Sequence, residues 1–242
     1  MNNGQIKQGL NNKIAWIVVI GTVLLGLLGG VSLAAANSDV AGYYTKDGKT
    51  TPIIPGGEVT VTKLGNLSPS EMEIMFPMSR EEEAKIVHVP PAGNIIIDGV
   101  EYKPEDIHRF DGIRLRYIVG KDGRLYAFTT AEGLEKFQAE YKRDVSEKSS
   151  ASLSESYFYM DMFYTGDSFD LLPGLGLPFL YQLGFDNAIS SVKATPSATW
   201  TYIYDYTNFT GDYFAMAGGT NYSMLLFQGW NDRASSASVT PY

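Results

Sequence analysis

The sequence predicts a mostly β protein, with an all-β double Greek-key sandwich in its last 90 residues or so and a small α+β domain before it. Three observations lead there. Aromatic residues make up 13% of the chain, with 16 Tyr, a composition that favours packed strands over disorder. Asp98-Gly99 and Lys121-Asp122-Gly123 each separate two strand-like runs, as hairpin turns do. Residues 157–195 lie over 202–240 without a gap, a repeat with an offset of 45.

The 242 residues suffice for one large domain or two small ones. A net charge of -8, without clusters of Lys and Arg, argues against a nucleic-acid partner. The absence of Cys excludes disulfides, thiolate zinc sites and Cys nucleophiles. With His88 and His108 as the two histidines, hydrolytic chemistry is poorly supplied, and no enzyme is expected.

Residues 1–13 are polar and carry Lys7 and Lys13; an apolar run from Ile14 to Leu33 follows and ends in Ala34-Ala35-Ala36. This three-part form predicts a signal peptide over 1–36, cleaved after Ala36. The alternative is an uncleaved membrane anchor, because the run reaches the ~20 residues that span a bilayer. Either way the remainder is expected outside the cell, secreted or membrane-anchored and facing outward, because the positive flank stays inside.

Residues 37–66 are rich in Gly, Pro, Thr and Lys and read as linker, apart from the alternating Glu58-Val-Thr-Val-Thr62. Over 67–145 the small α+β domain is expected. Ser68-Pro69-Ser70-Glu71 and Ser79-Arg-Glu-Glu each carry the signature of a capped helix start. Hairpins at 95–102 and 113–128 precede a helix from Thr130 to about Lys142. Residues 146–156, dominated by Ser, read as a second linker.

Within the repeat, Tyr159 falls on Tyr204, Gly166-Asp167 on Gly211-Asp212, Phe169 on Phe214, Gly184 on Gly229 and Ser190-Ser191 on Ser235-Ser236. Two copies are too few for a propeller, which needs about four, but suit one closed sandwich with four short strands per copy. Each copy opens on Tyr-x-x-x-x-aromatic-x-Gly, where Gly lets the chain fold back at positive φ. Each closes on an Asp/Asn pair, two variable residues and two Ser: Asp186-Asn187-Ala188-Ile189-Ser190-Ser191 and Asn231-Asp232-Arg233-Ala234-Ser235-Ser236.

Both elements, in order and in both halves, resemble the βγ-crystallin family of microbial, calcium-binding type over residues 157–242. The closing motif offers carboxylate, amide, hydroxyl and carbonyl oxygens within six residues, which suits a hard cation taking six to eight oxygens. The resemblance implies two calcium ions where the halves meet, each motif feeding both sites. Carried onto this chain, the ligands are the side chains of Asp186, Ser190, Asn231, Asp232 and Ser235 and the carbonyls of Ala188 and Arg233. Carbonyls of Met160 and Asp205 complete the shells, and Ser191 and Ser236 hold the fold-back hairpins. With so few full charges the affinity expected is roughly 10⁻⁵ to 10⁻³ M.

The function expected is therefore an extracellular, calcium-binding structural or binding protein, with a protein or surface partner of unknown identity. The alternative on the same fold is a secreted proteinase inhibitor or toxin-like protein, less well supported because such inhibitors rely on disulfides. An enzyme would have to use His88 or His108 beside a carboxylate. Gly166-Asp167-Ser168-Phe169 imitates a lipase nucleophile block, but Tyr213 replaces the Ser in the second copy and no His follows as base.

Overall fold

In the structure, a computed structural model, residues 40–145 and 154–241 are described, and all fall within one unit, Asn37–Tyr242. The expected signal segment and most of the Ser-rich stretch lie outside the described residues. Among the described residues no helix is long and apolar enough to cross a membrane.

The upstream part opens with β1 (Gly42–Lys46) and β2 (Lys49–Ile53), a hairpin turned by Asp47 and Gly48 at positive φ. A short β3 (Thr62–Lys63) follows. Helices α1 (Pro69–Met75) and α2 (Arg80–Glu83) start on reciprocal capping boxes, Ser68 with Glu71 and Ser79 with Glu82, as the sequence predicts. Strands β4 (Ile95–Ile97) and β5 (Val100–Tyr102) pair around Asp98-Gly99. Strands β6 (Arg116–Val119) and β7 (Leu125–Phe128) form the second hairpin, and α3 (Ala131–Val145) closes the segment.

The first repeat supplies β8 (Ser156–Asp161), β9 (Thr165–Leu171), β10 (Leu175–Leu177) and β11 (Ser191–Ala194). The second supplies β12 (Thr199–Tyr204), β13 (Tyr213–Ala217), β14 (Thr220–Tyr222) and β15 (Ser236–Pro241). Each repeat keeps three strands in one sheet and lends its third to the other: β10 pairs with β15, and β14 with β11. Neither repeat can close its sheet without its twin.

The upstream residues join these sheets. One sheet runs β14-β11-β8-β9-β1-β2 and the other β3-β10-β15-β12-β13-β6-β7-β4-β5. The stretch read as linker over 37–66 therefore contributes three strands, with Tyr44 paired to Phe169 and Thr62 to Gly176. Its strands are two to five residues long and carry Thr, Lys and Pro, so no apolar alternation betrays them. The α+β segment is likewise continuous with the second repeat, because β6 runs parallel to β13, Arg116 beside Tyr213.

Strand β12 shows why. Ile203 points between the sheets, toward Phe158, Phe169, Phe185, Phe214 and Trp230. Trp200, Tyr202 and Tyr204 point to the opposite face, where Met72 of α1, Leu134 of α3 and Phe209 cover them. The nine-stranded sheet is apolar on both faces, and the upstream helices bury the outer one.

Candidate metal centre

The fold-back hairpins and closing motifs meet at one end of the sandwich with a two-fold regularity. In each hairpin two residues take left-handed φ, Phe163 and Tyr164 in the first and Asn208 and Phe209 in the second. The last Ser of each motif fastens its hairpin. Ser191 Oγ accepts from Tyr164 N at 3.0 Å and donates to Asp161 O at 2.6 Å. Ser236 Oγ accepts from Phe209 N at 3.0 Å and donates to Tyr206 O at 2.7 Å. The repeat glycines after them, Gly166 and Gly211, sit at φ 76 and 78, as the fold-back needs.

The two motifs lie side by side. Asn187 N donates to Ala234 O at 2.9 Å, and its counterpart Asp232 N donates to Ile189 O at 3.1 Å. Ser190 N and Ser235 N bind the carbonyls of Tyr159 and Tyr204. This places Ser190 of the first motif against Asp232 of the second, Oγ to Oδ1 at 3.1 Å.

Around that pair an open depression is lined by Met160, Asp161, Ala188, Asn187 and Asn231. Five sequence-predicted residues thus converge: Met160, Ala188, Ser190, Asn231 and Asp232. Asp161 and Asn187 join them without having been singled out, although Asn187 is the second letter of its motif, as Asp232 is. Asp186, also predicted as a ligand, is not among the lining residues; its carboxylate accepts from Asn187 Nδ2 at 3.3 Å.

The donors fit a hard cation. Two ligand oxygens at 2.3–2.6 Å from one ion stand about 3.3–3.7 Å apart when at right angles, so the Ser190 and Asp232 oxygens, at 3.1 Å, need part only slightly to share one. Asn231 Oδ1 is buried with no hydrogen-bond partner, while its amide nitrogen donates to Asp232 Oδ2 at 2.6 Å. A buried acceptor without a donor is costly, and a cation satisfies it. Among the described residues no three His, Cys, Asp or Glu side chains gather as a metal cluster; such a site rests on hydroxyl, amide and carbonyl oxygens around one or two carboxylates.

No family model matches the chain, and no curated protein does. Solved structures do match. A βγ-crystallin domain from Clostridium beijerinckii is 27% identical, with 36% of this chain and 97% of that one covered and a TM-score of 0.30. A βγ-crystallin from Ciona intestinalis is 23% identical over 37% of this chain and all of its own, TM-score 0.30. The N-terminal domain of protein S is 26% identical over 36% and 97%, TM-score 0.31. The repeats resemble βγ-crystallin domains, microbial ones included.

In this βγ-crystallin-like pair the second, repeat-related position differs chemically from the first. There Asp205 and Arg233 stand where Met160 and Ala188 stand in the first, beside Ser235. The Arg233 guanidinium holds Asp205 at 3.0 Å, approaches Asp212 at 3.4 Å and lies over the Trp230 ring at 4.5 Å. Burial opposes the charge on Arg233, yet the Asp205 carboxylate holds it above its ordinary value. Burial also raises the Asp205 carboxyl in spite of the arginine. The Asp205 side chain is thereby committed to an internal cation. The ligands that the resemblance implies there, the Asp205 and Arg233 carbonyls and the Ser235 hydroxyl, do not draw on that side chain.

His88 is 1% exposed between two carboxylates, Nδ1 at 3.1 Å from Asp111 and Nε2 at 3.3 Å from Asp212. A substrate has no approach to it without opening the fold. His108 is half exposed and 3.3 Å from Asp111.

Proposed function

We propose that the protein is an extracellular, non-catalytic calcium-binding module of βγ-crystallin type, acting as a structural or binding protein. One observation carries this reading: Ser190 and Asp232, from opposite motifs, present oxygens 3.1 Å apart beside the unpaired, buried Asn231 Oδ1. Calcium is the cation that this oxygen set suits, since none of the donors is soft and the depression is open enough for water to fill the remaining positions. The signal-like residues 1–36 support export, to a compartment where millimolar calcium occupies a weak site. The enclosure of His88 supports a non-catalytic role. Calorimetric titration of the purified chain with calcium tests the reading. A saturable heat with a dissociation constant of roughly 10⁻⁵ to 10⁻³ M is expected; no heat and no rise in melting temperature at millimolar calcium would sink it.

A further inference from the structure

A recess outside the closing motifs lies where the upstream segment meets the second repeat. It is a cleft of about 560 Å³, within the ~300–1,000 Å³ typical of small-molecule sites. Its floor is apolar, formed by Val119 and Leu125 of the second hairpin with Pro91 and Ala92. Phe227 stands over one side, 52% exposed.

The walls are fixed. Ala92 N donates to Phe227 O at 3.0 Å. Gly229, at φ 73, passes so close to the upstream chain that a Cβ there would meet Val89 O at 3.0 Å. The one charged lining residue, Arg124, is balanced by Glu101, which pairs with it at 2.7 Å and accepts from Asn94 Nδ2 at 2.9 Å. Gln228 also lines the cleft, and its Oε1 is buried with no partner. The amide oxygen is therefore uncommitted, free to take a donor once the side chain turns outward.

An exposed ring, an apolar floor, planar amides and a carboxylate–guanidinium pair match the two kinds of surface on a sugar: C–H faces that lie on rings and hydroxyls that bind amides and ion pairs in the plane. Because Arg124 is already neutralised by Glu101, and the chain carries a net charge of -8, charge complementarity does not favour an anionic ligand. We propose that this cleft binds a neutral oligosaccharide of the cell surface, independently of calcium.

Saturation-transfer NMR on the full mature chain, with and without calcium chelator, tests this with three probes: chitotetraose, cellotetraose and an anionic oligogalacturonate. Transfer to at least one neutral probe is expected in both conditions, with the oligogalacturonate at least tenfold weaker. Phe227→Ala should weaken the neutral probe about fivefold to tenfold through loss of the ring contact, and Phe227→Trp should restore it. Phe227 is exposed, so both variants should melt as the wild type does. No transfer to any neutral probe at ~10 mM, equal binding of the anionic one, or indifference to Phe227→Ala would each overturn the proposal. Failure of calcium titration would leave these readouts intact.

Discussion

Ser156 and Thr201 stand one repeat length apart in the sequence and meet in the core, Oγ to Oγ1 at 2.6 Å. Both are fully buried. Residues related by an approximate two-fold axis touch only where that axis passes, so this bond marks the centre of the double Greek key. Ser156→Ala leaves the Thr201 hydroxyl buried without its partner and should cost ~1–3 kcal/mol. Adding Thr201→Val, which removes the orphan, should recover most of that loss in urea unfolding. A double variant as unstable as the sum of two singles would mean that the hydroxyls do not depend on one another.

On the proposed reading calcium binds the folded protein and not the open chain, so at about 100 times the dissociation constant one site should add ~2.7 kcal/mol of stability. Ser190→Arg removes a hydroxyl ligand and sets a cation beside Asp232; the calcium-dependent rise in melting temperature from the first position should disappear. Ser235→Arg should change less, because Arg233 already engages Asp205 at the second position. An unchanged calcium response in the double variant would mean that the motifs are turns only.

The 45-residue repeat made the sandwich legible, because a Gly at positive φ and a Ser that ties a hairpin are local requirements written in single residues. The hairpin at Asp98-Gly99 and the caps at Ser68 and Ser79 were legible for the same reason. The strands at 42–53 and 62–63 were not. Tyr44 and Thr62 are strand residues because β9 and β10 offer open edges to them, and an edge 114 or more residues away leaves no mark on local composition. Nor could the motif letters show that Arg233 turns away to Asp205 and Asp212, which needs the position of Asp212 across the fold-back hairpin.

Those shared sheets predict one cooperative unit. Residues 37–242 should melt in a single calorimetric transition, whereas a fragment starting near 152 bares Trp200, Tyr202 and Tyr213, which α1 and α3 otherwise help to cover. The fragment, which the sequence alone portrays as one closed sandwich, should be less stable and should bind an apolar dye even with calcium present. Two resolved transitions in the long form, or a dye-silent fragment of equal stability, would restore the boundary at 146–156.

Asp170 tests the pH dependence at one carboxylate. Burial pushes its carboxyl up to about 6, against a bond from Tyr43 N that favours the anion. A raised folded value means that the neutral form is the favoured one, so the protein is most stable with respect to this group below the ordinary value near 4. That stability is lost as pH rises through about 6. Asp170→Asn should therefore gain ~1 kcal/mol at pH 8, allowing for screening at a partly exposed site, and nothing at pH 3.5. Equal effects at both pH values would mean that burial does not shift this group.

His88 links the upstream segment to the second repeat through Asp111 on one side and Asp212 on the other. Asp212 in turn accepts from Leu115 N at 2.7 Å and faces Arg233, which holds Asp205. Burial works against the imidazolium, but the two carboxylates together outweigh it and raise the ring above its usual value. A raised folded value places the gain on the acid side. The stability from His88 is fully present below about pH 6.5, the unfolded value, and fades as pH climbs through the higher folded one. Asp111 is held below its usual range, by the bonds from His88 and His108 against the effect of burial, so it stays charged across that window. Arg233 keeps its charge throughout. His88→Gln retains the volume and one donor but not the titratable charge; it should cost ~2–3 kcal/mol at pH 5.5, below the ~3–5 of a fully buried pair because the Asp111 side chain is 34% exposed. The gap should narrow as pH rises toward 9, because the wild type then carries a neutral ring between the same carboxylates. Unfolding curves for the two proteins at pH 5.5, 7 and 9 decide the matter: a difference that stays constant, or one that widens with pH, would show that His88 is buried neutral and acts by packing alone.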